Sequence, residues 1–221
     1  MNNWGSFYLI WFVAPVVLSA ALAHPWLAGI AIAALVFRRW LPDPYLFFKF
    51  SGRIASLRSQ IDANPHNAAA RRELALIYLE KRRPGKAIRL IEEALARDPD
   101  AADLHYLLGR ALLGSGRPEP ALAPLAAAVA KDPRIAYGDA HLMTGDALVQ
   151  LARLEEAEQA FARFVKINNS SVEGRTKLGL VRRARGDQQG ARTALEDARS
   201  TYRQLPGFQK RKQWWWRLRA M

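Results

Sequence analysis

The sequence predicts an all-α protein: an array of about four helical repeats, preceded by an N-terminal transmembrane hairpin. Two patterns carry that prediction. Pro65, Pro99 and Pro133 stand 34 residues apart, and the residues between them repeat in kind. Leu74, Ala75 and Tyr78, then Ala87, Ile91 and Ala94, lead up to Asp98-Pro99. Leu108, Gly109 and Leu112, then Ala121, Leu125 and Ala128, lead up to Asp132-Pro133. A fixed period of this size marks a stacked array in which each unit buries its core only against its neighbours. Ahead of the array, residues 1–37 contain no Asp, Glu, Lys or Arg.

The totals limit the alternatives. A chain of 221 residues holds one folded domain and an appendage. There is no cysteine, which excludes disulfides, thiolate metal sites and cysteine nucleophiles. A net charge of +13 points to an anionic neighbour: a bilayer surface, nucleic acid or an acidic protein. The seven tryptophans gather towards the two ends, and the repeats between have none.

One helix through residues 1–37 would be about 55 Å long, against a hydrocarbon core of about 30 Å. His24-Pro25 supplies a break, since proline lacks the N–H and disfavours helix at the residue before it. The reading is two short spans, 5–23 and 25–41, making residues 1–41 a membrane hairpin. Pro15 inside the first span is tolerated in lipid. Trp4, Tyr8, Trp26 and Trp40 fall near the boundaries, where amphipathic rings settle. Arg38 and Arg39, followed by Lys49, Arg53 and Arg58, face the single acid Asp43, so the repeats are expected on the cytoplasmic side of a bacterial inner membrane. Met1-Asn2-Asn3 lacks the basic start of a cleaved signal. A half-inserted second stretch stays open as a rival.

Residues 42–64 form a neck. Pro42 and Pro44 end the preceding helix, and two readings stand for Tyr45, Leu46, Phe47, Phe48 and Phe50: an interfacial collar, or a cover for the first repeat. From Ser51 onward, Ile54, Leu57 and Ile61 have helical spacing and read as a helix capping the array.

The period and its slots resemble the tetratricopeptide repeat (TPR) family. The resemblance implies a helical-hairpin solenoid over 65–205, with repeats at 68–101, 102–135, about 138–171 and about 172–205. A two-residue insertion around Ala136-Tyr137 precedes the third. Gly109, Gly145 and Gly179 would let paired helices approach. The fourth position of each repeat, usually bulky and apolar, instead holds Arg71, His105, His141 and Arg175. Arg182 and Arg203 also depart from the pattern and mark repeat four as a wetter C-terminal cap. The two histidines share their slot with no acid and no third histidine, so they read as core or boundary residues rather than metal ligands.

In this family the first helices line a concave groove. The resemblance places Arg72, Leu76 and Leu79 there, then Asp103, Tyr106, Arg110 and Leu113. Asp139, Leu142, Asp146 and Val149 follow, then Glu173, Thr176, Leu180 and Arg183. Such a mixture suits an extended peptide or a helix. Leu76 and Leu107 stand where a carboxylate clamp would need asparagines, which argues against a chaperone-tail clamp.

After Pro206-Gly207, residues 206–221 form a basic tail. Lys210, Arg211, Lys212, Arg217 and Arg219 surround Trp214, Trp215, Trp216 and Leu218. Basic groups and tryptophan favour an anionic lipid interface; the same composition serves RNA, with rings on bases and cations on phosphates. Lipid or a membrane-protein partner is the favoured reading because the N-terminus already points to a membrane. No phosphate loop, metal-ligand spacing or nucleophile triad is found, so no enzyme, cofactor or metal is expected. The sequence therefore reads as a membrane-anchored scaffold for a protein partner. A membrane-tethered RNA-binding protein is the alternative.

Overall fold

The computed structural model describes Trp26 and residues 44–221. The expected spans, with Trp4, Arg38, Arg39 and Trp40, lie outside the described residues; Trp26 alone among them is described, helical and exposed. Among the described residues no helix is long and apolar enough to cross a membrane.

The chain divides into two compact units, Met1–Gly52 and Arg53–Met221. Helix α1, Pro44–Ala63, begins in the first and ends in the second. Here the structure departs from the sequence reading, which ended a helix at Pro44 and started another near Ser51. Pro44 instead opens α1, which runs on through the neck. A proline at the first helical position gives up only an N–H with no intrahelical partner, so it starts a helix without penalty.

The second unit is a series of helical hairpins, with no strand among the described residues. Repeat one is α2 (Ala68–Glu80) and α3 (Pro84–Leu95); repeat two is α4 (Ala102–Gly114) and α5 (Pro118–Lys131). Repeat three is α6 (Asp139–Gln150) and α7 (Leu154–Ile167); repeat four is α8 (Val172–Ala184) and α9 (Gln188–Gln204). A final helix, α10 (Gly207–Arg219), follows.

Local chemistry sets these boundaries. Asn67, Ser171 and Asp187 cap α2, α8 and α9, each accepting an N–H three residues on, at 2.9, 3.1 and 2.8 Å. Pro84 and Pro118 open α3 and α5. Between the two helices of each repeat one residue turns left-handed: Arg82, Gly116, Ala152 and Gly186, with φ of 53, 73, 58 and 88°. Arg82 and Ala152 occupy that conformation against the preference of L-residues, at about 1 kcal/mol each.

Paired helices meet where one of them is small. A Cβ on Gly109 would stand 2.5 Å from Leu125 Cγ, and one on Gly179 2.7 Å from Leu195 Cγ. Gly145 faces the Phe161 ring in the same way. Repeat one uses Ala75, fully buried, in this slot. Each hairpin stacks its second helix on the first helix of the next, and first helices also touch across repeats, α2 with α4 and α4 with α6. The first helices therefore line the inner side of the curve.

The array is closed at each end of this unit. At the start, Leu57 of α1 is 1% exposed, Arg53 pairs with Glu73 at 2.6 Å, and Arg58 donates to the Tyr78 hydroxyl at 2.8 Å. At the other end α10 occupies the place of a fifth repeat's first helix, packed on both α8 and α9. The two inserted residues are absorbed in a short 3-10 turn, Ile135–Gly138, where Ala136 and Tyr137 have φ of 49 and 57°.

Candidate partner-binding groove

Several of the residues that the resemblance assigned to the inner face make a chain of polar contacts from one first helix to the next. Arg72 on α2 pairs with Asp103 on α4 at 2.8 Å. Tyr106 on α4 donates to Asp139 Oδ2 on α6 at 2.7 Å. Asp146 on α6 pairs with Lys177 on α8 at 2.7 Å, and Lys177 also pairs with Glu173 at 2.7 Å. Lys177 Nζ then lies 5.1 Å from the centre of the Trp216 ring on α10. Every step between neighbouring first helices thus has a directional contact.

The electrostatics follow from burial. Burial, then the hydrogen bond and charge of Asp139, raise the Tyr106 hydroxyl above its ordinary range; Arg110 beside it works the other way. Burial raises the Asp146 carboxyl despite the nearby Lys177 ammonium. Among the described residues no group of three His, Asp or Glu side chains is placed to hold a metal ion.

The assigned residues divide by exposure. Arg72, Arg110, Val149 and Arg183 are exposed. Leu76, Leu79, Tyr106, Leu113, Asp146 and Leu180 are half-buried, each offering an edge to the groove. Two assignments are corrected. Leu142 is 7% exposed and packs in the core with Leu148, Phe161 and Leu178, because α6 turns it towards α7. Thr176 is fully buried; its hydroxyl donates to Val172 O at 2.8 Å, and α10 lies over it.

In the tail, the assignment of Trp216 to a membrane interface is likewise corrected. The tail is a helix folded onto repeat four, and its three consecutive tryptophans take different environments. Trp216 packs against the cluster of Val172, Leu195, Ala198 and Leu205, whereas Trp214 and Trp215 are exposed. Gln213 accepts the Val172 N–H at 2.8 Å, satisfying a donor at the start of α8 that has no partner within its own helix. Arg199 reaches across from α9 to the Ala220 carbonyl at 2.8 Å.

Sequence reasoning missed the part played by four residues. Lys177 links two first helices and α10; its only sequence signal is the four-residue spacing from Glu173. Gln213 carries no signal at all. Arg71 and His105 donate to the carbonyls of Pro65 and Pro99 at 2.7 and 2.8 Å. Their signal was present: each stands six residues after a periodic proline.

Comparison with known proteins agrees with this architecture. The tetratricopeptide repeat family profile matches residues 74–134 and 142–207, breaking at the insertion. The crystal structure of MamA is similar at 22% identity and a TM-score of 0.66, over 69% of this chain and 88% of that one. MamA from Desulfovibrio magneticus RS-1, from residue 41 onward, gives 19% and 0.65, over 80% and 93%. YrrB, described as a TPR protein with an unusual peptide-binding site, gives 21% and 0.60, over 77% and 91%. At these identities the likeness is one of fold. No curated protein matches the chain.

Proposed function

The chain belongs to the tetratricopeptide repeat family, and from that premise we propose that it is a membrane-tethered scaffold whose inner face holds a segment of a protein partner. The carrying observation is the braced row of first helices, which presents Arg110, Val149 and Arg183 beside the edges of Tyr106, Leu113 and Leu180. A rigid surface with apolar strips and unburied cations suits an extended or helical segment bearing acidic residues. Its preorganisation lowers the ordering cost of binding. Residues 1–41 supply the tether in this reading, supported by the uncharged stretch 1–37 and by Arg38 and Arg39 behind it. Such a protein serves as an assembly factor or accessory subunit of a membrane complex.

Crosslinking in intact membranes, followed by mass spectrometry, tests this with wild type beside an Arg110→Glu, Arg183→Glu variant. Both side chains are exposed, so the fold is expected to survive, as circular dichroism would verify. Capture of one protein by wild type and its loss in the variant is the expected result. Equal capture by both would move the contact away from the groove, to the hairpin or to α10.

A further inference from the structure

We propose that the outward face of α10 is a docking surface for the headgroup region of an anionic lipid bilayer. This contact is separate from the groove and holds whatever partner the groove takes.

Helical spacing divides α10 into two faces. Gln209, Gln213, Trp216 and Ala220 point towards repeat four. The opposite side carries Phe208, Trp214, Trp215 and Leu218, which are 64, 53, 54 and 48% exposed. Four large apolar side chains left in water on one short helix call for a covering surface. The charges indicate which one. Lys212 and Arg219 flank the apolar ridge on one side, Lys210 and Arg217 on the other, and Arg211 lies within it; α10 contains no acid. None of these five cations is in an ion pair among the described residues. Arg217 and Arg219 are steadied over the rings of Tyr202 and Trp216, each at 5.3 Å. These two cations are therefore placed without being neutralised.

A bilayer fits this arrangement better than RNA. Trp214 and Trp215 pack edge to face at 5.8 Å and 77°, forming one ridge with aliphatic Leu218 rather than two parallel faces for bases to stack on. An apolar ridge between two cationic margins is the pattern of a helix lying in a membrane interface, with indoles at headgroup depth and cations on anionic lipid. The fold also explains why Trp216 is excluded from the ridge: it anchors the helix to α8 and α9, and so fixes the direction in which its two neighbours point.

The absence of cysteine makes the test direct. A thiol introduced by Leu218→Cys in the full chain carries an environment-sensitive NBD label. It is compared with a label at Glu92→Cys, exposed on α3, after reconstitution into phosphatidylglycerol–phosphatidylcholine vesicles. Quenching by headgroup-proximal doxyl lipid is expected at 218 and not at 92. It is expected to fall several-fold in pure phosphatidylcholine, and when Lys210, Lys212, Arg217 and Arg219 are all changed to Gln. Quenching at 218 no stronger than at 92, or indifferent to lipid charge, would overturn the proposal. So would a label at 218 that ignores lipid and responds to single-stranded oligouridylate, which would assign the face to RNA. Groove variants leave this readout unmoved, so failure of the scaffold reading and failure of this one are told apart.

Discussion

The fourth position of the repeats shows how a departure from a family pattern acquires a physical reason. Arg71 and His105 do not fill the core as a bulky apolar residue would; they hold the carbonyls of Pro65 and Pro99 and so brace the loop between units. His141 in the same slot is buried, and burial first, then the nearby Arg163 charge, pushes its pKa below the ordinary 6.5. The unfolded chain thus binds a proton at a higher pH than the folded one. His141 stabilises the fold fully above about pH 6.5 and loses that contribution as pH falls through its folded pKa. Thermal midpoints between about pH 7 and about pH 5 are expected to drop more for wild type than for His141→Phe. The slots of Gly109, Gly145 and Gly179 were legible because an absent side chain shows in the sequence. The reach of Arg71 was not, since spacing tells which face a side chain leaves from but not which atom it finds.

At the scale of the element, α10 was the least legible. A breaker pair followed by basic residues and three adjacent tryptophans reads as a tail, because neighbours one residue apart cannot share a helix face. Only Trp216 is a large apolar residue at the inward spacing, too little periodicity to announce a packed helix. Pro44 misled in a similar way, since one residue marks a helix end or a helix start according to its position. The packing of α10 separates two roles. Trp216→Ala is expected to cost about 2 kcal/mol, below the range for a fully buried aromatic, and to speed amide exchange in α8 and α9. Trp215→Ala is expected to stay within about 0.5 kcal/mol. Thermal unfolding with hydrogen exchange distinguishes them, and equal losses would contradict the assignment of Trp216 as the anchor.

For the whole second unit, the 34-residue period made the architecture legible before any contact was known, because the core of one repeat is completed by the next. The ties between repeats were less visible. Arg182, out of place by the family pattern, donates to Glu158 at 2.9 Å, and Arg185 pairs with the same carboxylate, joining repeat four to repeat three. Burial of Glu158 opposes its charge, yet the two guanidinium hydrogen bonds prevail and hold its pKa low. Stacking of this kind passes stability along the array from neighbour to neighbour. Leu125→Ala, emptying a fully buried site against Gly109, is expected to cost about 2–5 kcal/mol. Hydrogen exchange should quicken most in α4 and α5, next in the adjoining hairpins, and least in α9 and α10. A uniform rise throughout would instead mean one indivisible folding unit.

The added pair at Ala136-Tyr137 bears on how the protein can be handled. The chain takes up these residues in left-handed backbone outside α5 and α6, and Tyr137 is 84% exposed. The hairpin beyond them still sets Gly145 against Phe161, as Gly109 is set against Leu125. Extra length at this seam has already been accommodated without retuning a helix. It is therefore a ready socket: an epitope or fluorescent reporter spliced between Ala136 and Tyr137 would ride between two intact repeats, outside both α5 and α6.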